Sequence, residues 1–154
     1  MGLRELLPHD LGGAQIDAAA SELAALADAT VQVAFDEALA HTIRRLGAPI
    51  TADGTPARFV VLGMGKLGGD ELNAGSDVDL CYFYDTDEGG VVRADPSGVA
   101  DDAPTSTSLH ELWTRVARRL TATLEEITED GLVWRVDLRL RPLRGPGQIG
   151  RANV

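Results

Sequence analysis

The segment RFVVLGMGKLGGDELNAGSDVDL, Arg58 to Leu80, restricts the topology of this 154-residue chain more than any other. An apolar run, Phe59 to Leu62, enters a glycine-rich turn, and a second apolar run, Val78 to Tyr84, begins ten positions after Gly68. A crossover between parallel strands takes about a dozen or more residues, usually a helix. The two strands are therefore expected to pair antiparallel or within a mixed sheet. For the same reason Gly63-Met64-Gly65-Lys66-Leu67-Gly68, a literal G-x-G-x-x-G, is a poor sign of a dinucleotide-binding unit. Such a unit needs a crossover helix and an acidic residue about 20 positions on. Two readings stay open: a tight structural turn, or a turn whose backbone N–H groups approach a phosphate with Lys66 nearby.

The second strand brings Asp77 and Asp79, which alternation places on one face. An Asp-x-Asp pair on a solvent face is common and carries little meaning. Here Val78, Leu80, Cys81 and Phe83 make the strand largely buried. A carboxylate pair in that setting is unfavourable unless a cation neutralises it. A third carboxylate, Asp137, lies in VWRVDLRLRP, where Asp137, Arg139 and Arg141 share one face and Val136, Leu138 and Leu140 take the other. That trio is either a structural ion pair or a metal ligand flanked by two phosphate clamps, since arginine suits planar, bidentate oxygen recognition. Three such carboxylates beside a glycine turn suggest two magnesium ions and the phosphates of a nucleotide.

Composition narrows the class. A formal charge of −10 argues against a general nucleic-acid binder. The later arginines, among them Arg115, Arg118, Arg119, Arg135, Arg144 and Arg151, still leave room for one bound nucleotide. Cys81 is the only cysteine, which excludes an internal disulfide and a cysteine-based zinc site. His9, His41 and His110 are scattered, without ligand spacing, and Trp113 and Trp134 read as core. With no apolar leader and no membrane-length run, a soluble cytoplasmic protein is expected.

The length suggests one domain, organised as a leading helical segment, 1–50, then a sheet-and-helix region, 58–142. The helical pattern runs from Asp17 to about Leu46, with Leu23, Leu26, Ala27, Ala34, Ala38, Leu39 and Leu46 on its stripe, and is ended by Gly47 and Pro49. Thr51 to Pro56 reads as a turn and 85–107 as a solvated loop. Ser108 and Glu111 form a capping box before a helix carrying Leu109, Leu112, Trp113, Val116, Leu120, Leu124 and Ile127, closed by Gly131. Leu132 to Leu140 is expected as a third strand stopped by Pro142, and 143–154 as a truncated tail. The fold class is α/β (α+β), a small mixed β-sheet backed by α-helices.

The glycine turn, Ser76-Asp77-Val78-Asp79 and the distant Asp137 together resemble the DNA polymerase β-like nucleotidyltransferase superfamily. GMGKLGGDELNAGSDVDL and GLVWRVDLRLRP narrow the resemblance to the glutamine synthetase adenylyltransferase/adenylyl-removing enzyme family, whose members carry two nucleotidyltransferase domains followed by helical regions. The resemblance implies a nucleotidyltransferase core in which Asp77 and Asp79 bridge two Mg2+ ions and Asp137 supplies the third catalytic, metal-binding carboxylate. It also implies that Gly65, Lys66, Gly68, Gly69 and Ser76 position phosphates, with Arg139 and Arg141 as further phosphate-binding candidates. The implied partners are glutamine synthetase, the PII signalling protein, phosphate, and ADP or ATP. Asn73 and Arg135 look more like the adenylyl-removing domain than the adenylylating one, which tends to have Gly and Glu there. The implied reaction is therefore phosphorolysis of adenylylated tyrosine to ADP. The alternatives are the ATP-dependent adenylylating domain, a catalytically silent module and, disfavoured by strand spacing, a nicotinamide-binding module.

Overall fold

In the computed structural model, which describes residues 13–93, 107–129, 131–138 and 148–149, the chain opens with helix α1, Gly13–Leu46. Ala19, Ala20, Leu23, Ala24, Ala27, Val31, Ala34, Ala38, Thr42 and Leu46 are buried along it, at the three- and four-residue spacing a packed stripe requires. Leu26 falls between two stripe positions and stays 46% exposed, so it does not belong to the expected stripe. Most of the stripe is alanine, which lets another helix approach closely.

The remaining elements are β1 (Ala48–Thr51), β2 (Phe59–Gly63), the single-turn helix α2 (Gly65–Gly68), β3 (Val78–Tyr84), β4 (Gly89–Val92), α3 (Leu109–Leu124), β5 (Ile127–Thr128), β6 (Gly131–Leu132), β7 (Val136–Asp137) and β8 (Gln148–Ile149). The serine half of the expected capping box forms: the Ser108 hydroxyl accepts from the Glu111 N–H at 3.1 Å, while the Glu111 carboxylate accepts from Arg115 at 2.8 Å. Helix α3 buries Leu109, Leu112, Trp113, Val116, Leu120 and Leu124 against α1 and the sheet. It ends at Leu124, the last position of that stripe, with Glu125 as C-cap and the Trp134 N–H donating to the Leu124 carbonyl at 3.2 Å. Ile127 is consequently off the stripe, in β5 and 80% exposed, and Gly131 lies in β6, which pairs with β5, rather than at a helix end.

β2 and β3 pair antiparallel, from Phe59↔Tyr84 to Gly63↔Leu80, as their short spacing requires. β7 joins the other edge of β3 in parallel, and β8 pairs antiparallel with β3 at Tyr82 and Phe83. The sheet is thus small and mixed, as expected. Two expectations need correction. Among the described residues the third strand is not continuous: its start belongs to the β5–β6 ribbon, and Val136–Asp137 is the part that reaches β3. The 85–107 region also contains β4, which pairs antiparallel with β1 from Ala48↔Val92 to Thr51↔Gly89. The β1–β4 and β3–β7 pairings are long-range and the β5–β6 ribbon is a local hairpin, and composition alone does not say which partner a short segment takes.

One face of β3 is the core. Val78, Leu80, Tyr82 and Tyr84 are buried there with Leu112, Trp113, Val116 and Leu120. Phe59 bridges the layers, its ring 5.1 Å from Trp113 and 5.7 Å from Phe35 between centroids. The Tyr82 hydroxyl sits 3.0 Å from the Thr121 hydroxyl, and burial pushes its phenol up to about 12. Trp113 is buried as expected, and Trp134 packs partly buried against the same cluster. His41 and His110 lie on helices, and His9 lies outside the described residues. Among the described residues no helix is long and apolar enough to cross a membrane.

Candidate active site

The opposite face of β3 carries the acidic residues. The parallel register Val78↔Val136 and Asp79↔Asp137 makes Asp79 and Asp137 direct neighbours. Aligned residues of adjacent strands share a face, so the two half-buried carboxylates lie on the same side of the sheet. The pairing continues one step earlier, where the Val78 N–H donates to the Arg135 carbonyl at 2.8 Å. Arg135 is thereby held beside Asp77, and its Nη1 lies 3.3 Å from Asp77 Oδ1. Two rows result: Asp77 with Arg135, then Asp79 with Asp137.

The glycine turn lies against this strand. The Met64 N–H donates to the Asp79 carbonyl at 2.8 Å. Gly65 follows with φ +56°, and a Cβ built on it would stand 2.7 Å from Asp79 Oδ2. Only glycine therefore lets the backbone pass the carboxylate this closely. At Gly68 a Cβ would meet the Gly63 carbonyl oxygen at 2.6 Å, so the turn is packed backbone against backbone. The Gly68 and Gly69 N–H groups donate inward, to the Met64 and Gly65 carbonyls at 3.2 and 3.0 Å. They close the turn. Buried Leu67 anchors it, Lys66 is exposed, and half-buried Ser76 donates its N–H to the Asn73 carbonyl at 3.1 Å. The structure places Asp77, Asp79, Asp137, Gly65 and the turn together. Arg139 and Arg141 lie outside the described residues.

The donor set suits magnesium in kind, since hard carboxylate oxygens are its preferred protein ligands. In placement the three carboxylates belong to one face, and Asp79 meets the turn. They share a face rather than a point: among the described residues no three His, Cys, Asp or Glu side chains converge tightly enough to hold an ion. Asp77 is engaged with Arg135 instead. A groove of about 470 Å3 opens between α1 and β2, lined by Phe35, Phe59, Gly63 and Leu67; it includes part of the turn but none of the carboxylates.

Two contributors were not assigned to the site from the sequence: Arg135, noted there only as a late arginine and a mark of the adenylyl-removing domain, and Asp70. Arg135 stands two positions before Asp137, and the alternation that grouped Asp137 with Arg139 would have grouped Arg135 with them too. Asp70 leaves the turn at φ +59° and accepts from the Ser21 hydroxyl at 2.8 Å, tying α1 to the turn. No local signal marks that contact, because the partners are 49 positions apart.

A mixed sheet backed by helices on one face, with a glycine turn against an Asp-x-Asp strand on the other, defines an α/β nucleotidyltransferase-like core. The family model of glutamate-ammonia ligase adenylyltransferase matches residues 7–152, and the chain belongs to that family. It is 40% identical over 137 residues to the bifunctional glutamine synthetase adenylyltransferase/adenylyl-removing enzyme of Chromobacterium violaceum, covering 88% of this chain and 14% of that protein. The enzyme of the same name from Pseudomonas aeruginosa is 41% identical over 129 residues, 83% of this chain and 12% of its own length. The one from Stenotrophomonas maltophilia strain R551-3 is 39% identical over 147 residues, 94% and 14%. The chain therefore spans 12 to 14% of the length of these curated relatives.

Proposed function

We propose that this chain is a magnesium-dependent nucleotidyltransferase core that removes AMP from the adenylylated tyrosine of glutamine synthetase by phosphorolysis. The observation that carries the reading is the register: Asp79 and Asp137 are direct neighbours across a parallel strand pair, with Gly65 crossing the Asp79 carboxylate. Glutamine synthetase enters through the relatives' names. Removal rather than addition of AMP rests on Asn73 and Arg135.

Asp77, Asp79 and Asp137 would hold Mg2+, which when bound supplies positive charge to the transferring phosphoryl group. The residues of the chain then have separate tasks. Gly65 leaves room beside the Asp79 carboxylate and puts no side chain in the way of a phosphate. Lys66 offers a mobile cation to phosphate oxygens. An oxygen of inorganic phosphate attacks the AMP phosphorus, the P–O bond to tyrosine breaks, the phenolate takes a proton, and ADP leaves. The PII signalling protein would act as regulator through parts of a longer protein.

The test is incubation of the 154-residue chain with adenylylated glutamine synthetase, phosphate and magnesium. ADP should form only when all three are present. Label transfer from ATP to unmodified glutamine synthetase, without phosphate-dependent ADP, would reverse the direction. Neither activity, despite a folded chain, would make it a silent module.

A further inference from the structure

Antiparallel strands alternate between residues that bond across the pair and residues whose main-chain groups point away. On β2 the bonded positions are the even ones. The Met64 N–H donates to the Asp79 carbonyl at 2.8 Å, and the Arg58 carbonyl accepts from the Asp85 N–H at 3.2 Å. In this register Phe59, Val61 and Gly63 aim their N–H and C=O groups away from β3. No strand among the described residues pairs on that side, so β2 is an open edge. Natural edge strands are usually guarded by charge, proline or a bulge. FVVLG has no charge, no proline and an unbroken register. Beside this edge lies the groove of about 470 Å3 whose other wall is α1. Val31, Phe35, Phe59, Val61 and Leu67 make it apolar, and Asp28 adds a carboxylate without a hydrogen bond or ion pair among the described residues. Val60 and Leu62, 48% and 44% exposed, stand on the sheet's other face with Asp79. A free edge beside a helix and an apolar groove admits an extended peptide as an added strand.

We propose that the β2 edge docks the protein substrate: a segment of polypeptide flanking the adenylylated tyrosine adds to β2 as a further strand. The inference rests on the nucleotidyltransferase reading and says how its substrate is held. Main-chain groups of Phe59, Val61 and Gly63 pair with the segment. Alternate side chains of the segment enter the groove against Val31 and Phe35, with a lysine or arginine at the level of Asp28. The side chains between them rise beside Val60 and Leu62, on the face where Asp79 stands. The edge ends at Gly63, where the chain enters the glycine turn, so the docked segment is continuous with the candidate site. The Asp28 carboxylate favours an occupant bearing a cation, whereas a second copy of this chain would bring a formal charge of −10.

The experiment is hydrogen–deuterium exchange of the 154-residue chain, alone and with adenylylated glutamine synthetase, resolved to single amides by mass spectrometry. The Phe59, Val61 and Gly63 amides should exchange fast alone and about tenfold or more slowly in the complex. Kinetics supply the second readout. Val61→Pro removes an outward donor without touching the ladder to β3, a substitution that edge strands tolerate. It should raise KM for adenylylated glutamine synthetase about three- to tenfold, the worth of one hydrogen bond, with kcat unchanged. Turnover of a small substrate, the AMP ester of N-acetyltyrosine amide, should stay as it was. Val61→Thr, which keeps the N–H, should behave as wild type, and Asp28→Lys should raise the same KM about two- to fivefold. Slow exchange of these amides in the free chain, fast exchange in the complex, no binding of glutamine synthetase, or an unchanged KM in Val61→Pro would each overturn the proposal. So would a wild-type chain that dimerises in sedimentation with these amides protected, which assigns the edge to a second copy. If Val61→Pro does not fold, the exchange data and Asp28→Lys decide. A wild-type chain that turns over neither substrate would overturn the site reading, and the exchange data would still decide what covers β2.

Discussion

On strand β3, Leu80 and Tyr82 face α1 and α3 and are buried to 1% and 0% exposure, whereas Asp79, one position earlier, lies half-buried on the other face beside Asp137. The backbone of both faces is held by the same ladder to β2 and β7. The difference is what the side chains are for. On the covered face each side chain contributes by leaving water, and the local cost of change is stability. On the open face two carboxylates are placed as direct neighbours, and like charges directly opposite each other do not favour folding. In the neighbouring row Asp77 faces the Arg135 guanidinium.

The comparison breaks most visibly through substitutions at adjacent positions. On the proposed function, Asp79→Asn should lower phosphorolysis by about 10²- to 10³-fold or more, as loss of an electrostatic stabiliser does, while the melting temperature stays level or rises. Its neighbour Leu80→Ala should do the reverse, losing about 2–5 kcal/mol of stability while keeping its turnover at a temperature where it remains folded. Thermal melts and single-turnover rates on the two variants decide the matter; an active Asp79→Asn, or a stable Leu80→Ala, would erase the distinction between the faces.

Tyr82 sharpens the covered side through pH. Burial holds its phenol near 12, above the ordinary 10.0, so the folded state favours the protonated form. That contribution is complete below pH 10 and is lost as pH rises from 10 to 12, reaching about 2–3 kcal/mol. Urea melts across this window should fall more steeply for wild type than for Tyr82→Phe; parallel curves would mean the phenol is not held by burial. The smallest effect belongs to the boundary between the faces. Gly65→Ala forces a side chain into φ +56° and toward Asp79 Oδ2, at about 1–2 kcal/mol, and should weaken Mn2+ binding as well as stability. A loss of stability with Mn2+ affinity untouched would separate the turn from the carboxylate.

Much of the scaffold was legible before any coordinates. Helices α1 and α3 declare themselves by period, Ser108 by its capping box, and β2 and β3 by apolar runs too close together for a crossover. The candidate site was legible residue by residue: a glycine turn, Asp77, Asp79 and Asp137. The β1–β4 ribbon was not, because Ala48–Thr51 and Gly89–Val92 are short, contain proline and glycine, and make sense only as partners. The break between β6 and β7 was equally hidden, since nine residues of strand-like composition do not say which neighbour each half will find.

The sequence by itself determined which side chains alternate, which stretches bury one face, and which residues carry charge, because these depend on neighbours two to four positions away. Only the tertiary structure decided that Asp79 stands opposite Asp137, that Arg135 reaches Asp77, and that Ser21 secures the exit of the glycine turn. Those relations join residues 49 to 58 positions apart, and their register is set by packing of the whole sheet against α1 and α3. A one-residue slip of β7 would leave every local pattern intact and move Asp137 to the covered face.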